Sequence, residues 1–97
     1  MEALQDSGKV KNIGVSNFPV LMMRDILSYC RFKPVVNQVE IHPYNSQEVL
    51  LKFCKEKGIA VTAFSAFGAI SYGQKDSSCL FDPVIAEVAE AKGVSPA

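Results

Sequence analysis

Apolar residues along the chain of 97 residues fall into short dense runs, which alternate with stretches in which apolar positions recur every three or four residues. The dense runs Val10–Val15, Val35–Ile41 and Ile59–Phe64 are rich in β-branched residues and predict strands. The wider spacing between them predicts helices. The pattern therefore indicates alternation of helices and strands along the whole chain.

Capping and helix-breaking residues set the predicted limits of the helices. Four helices are expected. The first is Met1–Asp6, which ends before Gly8, and the second is capped by Asn17, has Pro19 in its first turn and runs to about Cys30. The third is capped by Ser46 and ends at Gly58, and the fourth is capped by Asp82, has Pro83 in its first turn and ends at Gly93. The segment Ser65–Phe81 contains glycines and serines without a clear period, which predicts a long loop.

The spacing of the predicted strands indicates how they are connected. They begin roughly 24 residues apart, close to the least that a strand, a crossover helix and two turns can occupy. Their runs are apolar on both faces, as expected for a parallel sheet covered by helices. Three such strands leave two open edges and a thin core, and the chain stops just after a helix. We therefore expect an α/β fold in which residues 1–97 form part of a larger closed barrel, incomplete at both ends.

Composition excludes several classes of function. Ten basic and ten acidic residues are spread along the chain and give a net charge of zero, which argues against nucleic acid or a membrane surface as a partner. No apolar run approaches the length of a membrane span, and the first residues do not form a signal peptide. A cytoplasmic location is therefore expected. The three cysteines, widely spaced and without a neighbouring histidine, predict free thiols and no metal site.

Three motifs in order resemble those of one enzyme family. Lys11–Phe18 is similar to the signature that aldo-keto reductases place at the end of the fifth strand of their (β/α)8 barrel. Asn37–Glu40, with His42–Tyr44 after it, resembles the sixth strand, and Val61–Ser65 resembles the seventh. The resemblance covers nearly the whole chain, and it implies three consecutive parallel βα units of a TIM barrel.

The resemblance implies a set of nicotinamide contacts. In that family the residues at Ser16, Asn17 and Gln38 hydrogen-bond the carboxamide of the nicotinamide ring. An amide needs both donors and acceptors, and uncharged side chains provide them without the cost of desolvating a charge. Phe64 matches an aromatic residue whose ring stacks on the nicotinamide. Most members have Tyr there, so Phe64 keeps the ring and lacks the hydroxyl.

The following residues match the loop that wraps the cofactor pyrophosphate. Ser65, Phe67 and Gly68 would present a hydroxyl and backbone N–H groups to phosphate oxygens. This chain departs from the family at Ala66, where Pro is usual, at Phe67, where Leu is usual, and near Ala69, where a small hydroxyl residue is missing.

The segment after that loop is longer than in the family pattern. Residues Ser71–Ser78 would act as the family's strap over the cofactor, with Lys75 as a weak candidate for a phosphate contact. An exposed loop lysine that is simply solvated is the alternative.

The same resemblance implies the activity and what this chain lacks. The family uses a Tyr general acid with a Lys, an Asp and a His, all on the first four strands of the barrel, and no residue here occupies a matching position. We expect the intact protein to reduce an aldehyde or ketone with NADP as the cofactor, NAD being possible, and the isolated chain to be inactive.

Other interpretations remain open from the residues alone. Some relatives keep the barrel as non-catalytic regulatory or nucleotide-binding subunits, and an unrelated small α/β domain is a further alternative. Asn17 could serve only as a helix cap, and Phe64 could be a core residue. Gln38 is expected to be a buried amide that needs partners. For His42 a structural hydrogen bond is preferred to a catalytic role.

Overall fold

The computed structural model describes residues 1–68 and 78–97, and within them helices and strands alternate as the sequence predicts. The elements in chain order are α1 (Glu2–Asp6), β1 (Val15–Ser16), α2 (Val20–Tyr29), β2 (Val36–Glu40), α3 (Glu48–Glu56), β3 (Ala60–Phe64), a 3₁₀ helix (Cys79–Phe81) and α4 (Pro83–Lys92). The α/β fold class is therefore confirmed.

The three strands form one sheet in the order β1-β2-β3. Strands β1 and β2 are parallel, with Val15 beside Asn37 and Ser16 beside Gln38. A backbone hydrogen bond of 2.9 Å from the Val35 N–H to the Ile13 carbonyl extends this pairing before the strands begin. The connection between the two strands passes through α2, as a crossover between parallel strands requires.

Strands β2 and β3 also run in the same direction. The Ala60 N–H donates to the Val35 carbonyl at the start of the two strands, over 2.9 Å. The Ile41 N–H donates to the Phe64 carbonyl at their end, over 3.4 Å. The start of β2 therefore bonds to the start of β3, and the end of β2 bonds to the end of β3, which is the parallel arrangement.

The chain divides into two compact units. The first unit comprises Met1–Val39 and Gln47–Thr62, and the second comprises Glu40–Ser46 and Ala63–Ala97. The first unit contains most of the buried apolar side chains: Met23, Val39, Leu50, Phe53, Cys54 and Ile59. In the second unit the buried residues include Cys79 and Ala89, and α4 packs against the 3₁₀ helix.

Strand β2 has two distinct faces. Asn37 and Val39 are buried, whereas Gln38 between them is exposed. Side chains of a strand alternate between the two sides of the sheet. Because α2 and α3 pack together in this unit, and Asn37 and Val39 are buried as Cys54 of α3 is, the helices cover the Asn37 face. Gln38 and its neighbour Ser16 therefore lie on the opposite face.

Strand β1 is shorter than the predicted Val10–Val15. The Lys11 carbonyl accepts a hydrogen bond of 3.0 Å from the Gln5 side chain of α1, so this part of the chain is tied to a helix. Gly14 lies against β2: a Cβ built there would be 2.5 Å from Val36 Cγ1 and 2.9 Å from the Val36 carbonyl oxygen. Regular strand structure in β1 is therefore limited to Val15–Ser16, and pairing with β2 reaches back to Ile13 through its bond with Val35.

The predicted caps of α2 and α3 are wrong. The residue that precedes α2 is Pro19 and the one that precedes α3 is Gln47, and neither forms a side-chain capping bond. Asn17 precedes the cap position of α2, which Pro19 occupies, and its backbone is left-handed with φ of 56°. Ser46 is displaced from the cap position by Gln47, which has a left-handed backbone with φ of 52°.

Helix α4 begins and ends as predicted. Asp82 Oδ1 accepts hydrogen bonds from the N–H groups of Val84, at 2.8 Å, and Ile85, at 3.2 Å. Pro83 occupies the first turn, and Gly93 ends the helix with φ of 65°. A glycine with positive φ also follows the last turn of α1 and of α3, at Gly8 and Gly58 respectively.

The predicted loop Ser65–Phe81 is only partly loop. Its last residues, Cys79–Phe81, form a 3₁₀ helix that begins with a hydrogen bond of 3.1 Å from the Leu80 N–H to the Ser78 hydroxyl. Gly68 and Ser78 pair in an antiparallel bridge. Residues 69–77 lie outside the described part of the chain, and with them the expectations for Ala69, for Lys75 and for most of the strap.

Two further sequence expectations bear on the described residues. Cys30, Cys54 and Cys79 are free thiols, as predicted. Among the described residues, none of the helices combines the length and the apolar character that crossing a membrane requires.

Candidate functional site

The predicted nicotinamide residues of the first unit come together at the carboxyl end of β1, beside the middle of β2. Ser16 lies beside Gln38 in the parallel register, and Asn17 follows directly. All three side chains are exposed. The expectation that Gln38 is buried is therefore wrong, because the alternation of β2 turns Asn37 rather than Gln38 toward the helices. The exposed amide faces outward on the sheet face that the helices leave open.

Two hydrogen bonds to one carbonyl oxygen hold this group together. The Gln38 carbonyl accepts from the Ser16 hydroxyl at 2.8 Å and from the Asn17 N–H at 2.9 Å. Because the Ser16 hydrogen is already donated, its oxygen lone pairs are left to accept from a ligand. In the described part of the chain the side-chain amides of Asn17 and Gln38 form no hydrogen bond, so each can both donate and accept.

Two of the candidate residues have an unusual backbone. Asn17 has φ of 56° and Ser65 has φ of 49°, and each directly follows a strand of the sheet. A left-handed conformation is uncommon outside glycine, and it persists where surrounding contacts enforce it. At Asn17 that contact is the bond from its N–H to the Gln38 carbonyl. This geometry turns the chain so that Asn17 continues the polar group instead of capping α2.

Asn37 positions the site, and the sequence interpretation overlooked it. Its side chain is fully buried. Its Nδ2 donates to the Phe18 carbonyl at 2.8 Å, and its Oδ1 accepts from the Phe18 N–H at 3.4 Å. Both backbone groups of the residue after Asn17 are thereby fixed. The signal was present, because the rule that a buried amide needs partners applies to Asn37 as well as to Gln38.

The thiol under Asn37 is a core group. Cys54 is fully buried in α3. Burial raises the pKa of the Cys54 thiol, and the hydrogen bond with Asn37 acts in the opposite direction. The thiol is therefore protonated at neutral pH, and it acts here as a packing group with a weak polar contact to Asn37.

In the second unit the predicted pyrophosphate residues form a tight turn after β3. The Gly68 N–H donates to the Ser65 carbonyl at 2.8 Å, and Gly68 has φ of 79°. The Cys79 N–H donates to the Phe67 carbonyl at 3.0 Å. Phe64, the predicted stacking residue, is half-buried at the end of β3. Ser65, Phe67 and Gly68 therefore belong to one hydrogen-bonded turn.

The residues after β2 form a second hydrogen-bonded loop in this unit. His42 Nε2 lies 3.2 Å from Glu40 Oε1, which confirms the expected structural hydrogen bond. The His42 and Asn45 backbones bond to each other in both directions, at 3.3 and 2.8 Å. The His42 and Tyr44 rings meet edge to face with centroids 6.1 Å apart.

Tyr44 and Asp82 form a close polar pair in the second unit. The Tyr44 hydroxyl donates to Asp82 Oδ2. This hydrogen bond raises the pKa of Tyr44 to about 12. It is also the main reason that the pKa of Asp82 lies below its ordinary value, with the N–H groups at the start of α4 contributing further.

Comparison with known proteins places these features in context. The sequence model of the Aldo/keto reductase family matches residues 1–96. A probable NAD(P)H-dependent D-xylose reductase of Emericella nidulans is 42% identical over 100% of this chain and 33% of its own length. Aldo-keto reductase family 4 member C11 of Arabidopsis thaliana is 44% identical over 100% of this chain and 31% of its own. The chain thus spans about a third of the curated relatives it matches.

A solved structure gives the same result for the fold. The aldose reductase of Giardia lamblia superimposes with a TM-score of 0.83 at 42% identity, over 99% of this chain and 31% of that chain. The three parallel βα units are therefore a part of a (β/α)8 barrel. With the match over residues 1–96, the chain belongs to the aldo/keto reductase family.

Proposed function

We propose that this chain is the cofactor-binding part of a longer NAD(P)H-dependent oxidoreductase that reduces an aldehyde or ketone to an alcohol. The observation that carries the proposal is the polar group formed by Ser16 and Asn17 at the carboxyl end of β1 with Gln38 of the parallel strand β2. Ligands of α/β proteins bind at the carboxyl ends of parallel strands. Relatives described as NAD(P)H-dependent D-xylose reductases support it. Because the chain spans about a third of their length, the activity is proposed for the whole protein.

The chemistry of the polar group fits a nicotinamide carboxamide. The Ser16 oxygen, whose hydrogen is donated to the Gln38 carbonyl, would accept from the carboxamide NH₂. The side-chain amides of Asn17 and Gln38 would complete the recognition of its oxygen and nitrogen. When bound, the nicotinamide would supply the hydride. The protein's part here is to hold the ring in one orientation.

The turn Ser65–Gly68 fits the pyrophosphate. It uses the Gly68 N–H internally, and among the described residues no group accepts from the N–H groups of Ala66 and Phe67. These two donors, with the Ser65 hydroxyl, would meet phosphate oxygens without any positive side chain. Phe64 would stack on the nicotinamide ring, since its position matches the family's aromatic residue.

The remaining parts of the proposal follow from the family. The cofactor would be NADP, with NAD possible, and the partner a small carbonyl compound. The Tyr, Lys, Asp and His of the reaction would come from parts of the protein outside these 97 residues, so residues 1–97 form an incomplete domain. The cytoplasmic location stays a prediction from composition.

The test uses the full-length protein and Gln38→Glu. NADPH binding is measured by fluorescence, and the carbonyl-dependent oxidation of NADPH is measured by absorbance. A carboxylate keeps the size of the side chain but removes its donor and places a charge beside a neutral amide, so the NADPH Kd should rise by about tenfold, equivalent to ~1.4 kcal/mol.

The matched control is Gln47→Glu, which makes the same change at the start of α3, and it should bind NADPH as the parent protein does. Parent protein that binds neither NADPH nor NADH, or equal Kd values for the two variants, would contradict the proposal. NADPH binding without turnover of any carbonyl substrate would instead favour the regulatory or nucleotide-binding alternative.

A further inference from the structure

The two carboxylate oxygens of Asp82, in the second unit, accept hydrogen bonds from two different parts of the chain. Asp82 Oδ1 accepts from the N–H groups that begin α4, and Asp82 Oδ2 accepts from the Tyr44 hydroxyl. Capping alone needs only one oxygen. The second oxygen therefore ties the start of α4 to the loop after β2, a contact that the cap does not require.

Asp82 is connected through the backbone to the turn Ser65–Gly68. Its N–H donates to the Cys79 carbonyl at 3.3 Å, and the Cys79 N–H donates to the Phe67 carbonyl at 3.0 Å. The bridge between Gly68 and Ser78 runs beside this path. A continuous series of hydrogen bonds thus leads from Tyr44 to the turn.

Tyr44 lies in a loop that backbone and side-chain hydrogen bonds hold in place. The reciprocal backbone bonds of His42 and Asn45 flank it, and the Asn45 side chain donates to the Glu40 carbonyl at 3.1 Å. The Tyr44 ring is 55% exposed, so burial contributes little to holding it. Its hydroxyl is the main group through which this side chain acts on the rest of the second unit.

We propose that Tyr44 is a positioning residue for dinucleotide binding, which through Asp82 holds the turn Ser65–Gly68 in the conformation that receives the cofactor pyrophosphate. The inference rests on the proposed function and extends it to a residue to which no cofactor contact is assigned. A turn that binds phosphate through backbone N–H groups must keep those groups aimed at one point. Loss of the Tyr44 hydroxyl should therefore weaken cofactor binding, chiefly by faster dissociation.

The test compares Tyr44→Phe and Asp82→Ser in the full-length protein. Phe keeps the ring and removes only the hydroxyl. Ser still caps a helix but lacks the second oxygen that Tyr44 needs. Each variant should raise the Kd and the dissociation rate of NADPH by about three- to tenfold, the range expected for one hydrogen bond to a charged group that is partly exposed.

Two controls distinguish a specific effect on the turn Ser65–Gly68 from a nonspecific loss of folding or of cofactor binding. Tyr29→Phe removes the hydroxyl of an exposed tyrosine of α2 and should leave NADPH binding unchanged. Reduced nicotinamide mononucleotide lacks the pyrophosphate, so its affinity should be the same in Tyr44→Phe as in the parent. The double variant Tyr44→Phe/Asp82→Ser should bind NADPH no more weakly than Asp82→Ser alone, since the two groups act through one bond.

The possible results distinguish this inference from the proposed function. Parent protein that binds NADPH, together with unchanged NADPH Kd and dissociation rate in Tyr44→Phe, would overturn the inference and leave the proposed function standing. Equal losses for NADPH and for the mononucleotide would also overturn it. Parent protein that binds neither NADPH nor NADH would contradict the proposed function itself.

Discussion

Adjacent amides at positions 37 and 38 have opposite roles, and the alternation of a strand decides which is which. Asn37 is buried under the helices and bonds to the backbone of Phe18, whereas Gln38 is exposed beside Ser16. Both are amides in an apolar run, so residue type alone could not assign the faces. The side of the sheet that α2 and α3 cover made the difference.

At the residue scale, Asn37→Leu should destabilise the protein. Leu fits the apolar surroundings but leaves the Phe18 N–H and carbonyl without their partner, so the free energy of unfolding should fall by about 1–3 kcal/mol. Urea unfolding of the full-length protein measures this. Asn12→Leu, an exposed change in the same part of the chain, should alter it by less than about 0.5 kcal/mol. Equal stability of the two variants would show that Asn37 does not hold the segment after β1.

At the scale of elements, local signals succeeded where the capping contact is itself local. Asp82 bonds the next N–H groups of its own helix, and any chain with that sequence could form the same bonds. The predicted cap of α2 is wrong because a distant contact overrides the local preference. Asn17 is held by the Gln38 carbonyl of the neighbouring strand.

The close approach of β1 to β2 gives a prediction for Gly14→Ala. The added Cβ would meet the Val36 carbonyl oxygen at 2.9 Å as well as Val36 Cγ1 at 2.5 Å, and the backbone oxygen cannot move by a rotamer change. The variant should lose about 1–3 kcal/mol of stability in urea unfolding. It should also bind NADPH more weakly, since β1 carries Ser16.

Gly93→Ala is the comparison for this change. Gly93 has open space around it but a φ of 65°, so Ala there should cost about 1 kcal/mol from backbone strain alone. NADPH affinity should be unaffected. If both variants leave the affinity intact, the spacing of β1 and β2 does not control the site.

The contact between the loop after β2 and α4 predicts a pH dependence. The pKa of Asp82 lies below its ordinary 3.8, so its contribution is complete above that value and is lost as the pH falls through the lower folded value. The pKa of Tyr44 is raised from 10.0 to about 12, so its contribution is complete below 10.0 and is lost as the pH rises through about 12. The stabilising window therefore covers neutral pH.

Thermal unfolding of parent protein and Tyr44→Phe across pH measures this window. The parent should have the higher Tm near neutral pH, and the difference should shrink once the pH falls below about 4. A Tm difference that stays constant into strong acid would show that the bond to the Asp82 carboxylate is not its source.

At the scale of the whole molecule, each unit leaves large apolar side chains uncovered. In the first unit Leu21 and Val49 are 79% and 77% exposed, and in the second Phe81 is 70% exposed. A cavity of about 510 Å³ in the first unit is lined mainly by apolar residues of α1, β1 and α2 and their flanking segments. We propose that other parts of the barrel cover these surfaces in the intact protein.

The isolated 97 residues should consequently behave as an incomplete domain. They should bind a dye specific for exposed apolar surface, unfold without a sharp transition, and show no carbonyl-dependent oxidation of NADPH. The full-length protein provides the reference for each measurement. Turnover by the isolated chain would refute the proposal that the catalytic groups lie elsewhere.

Residue patterns along the chain are enough to predict the alternation of helices and strands, the limits of α4, the glycine ends of α1 and α3, and the motifs that mark the family. These features depend on short-range hydrogen bonds, on backbone freedom and on residue periodicity, all of which act within a few positions. The face of Gln38, the left-handed turn at Asn17, the shortness of β1 and the hydrogen bond between Tyr44 and Asp82 became known only from the three-dimensional structure. Each of these features depends on a partner many residues away, and local residue patterns do not show which distant groups will come into contact.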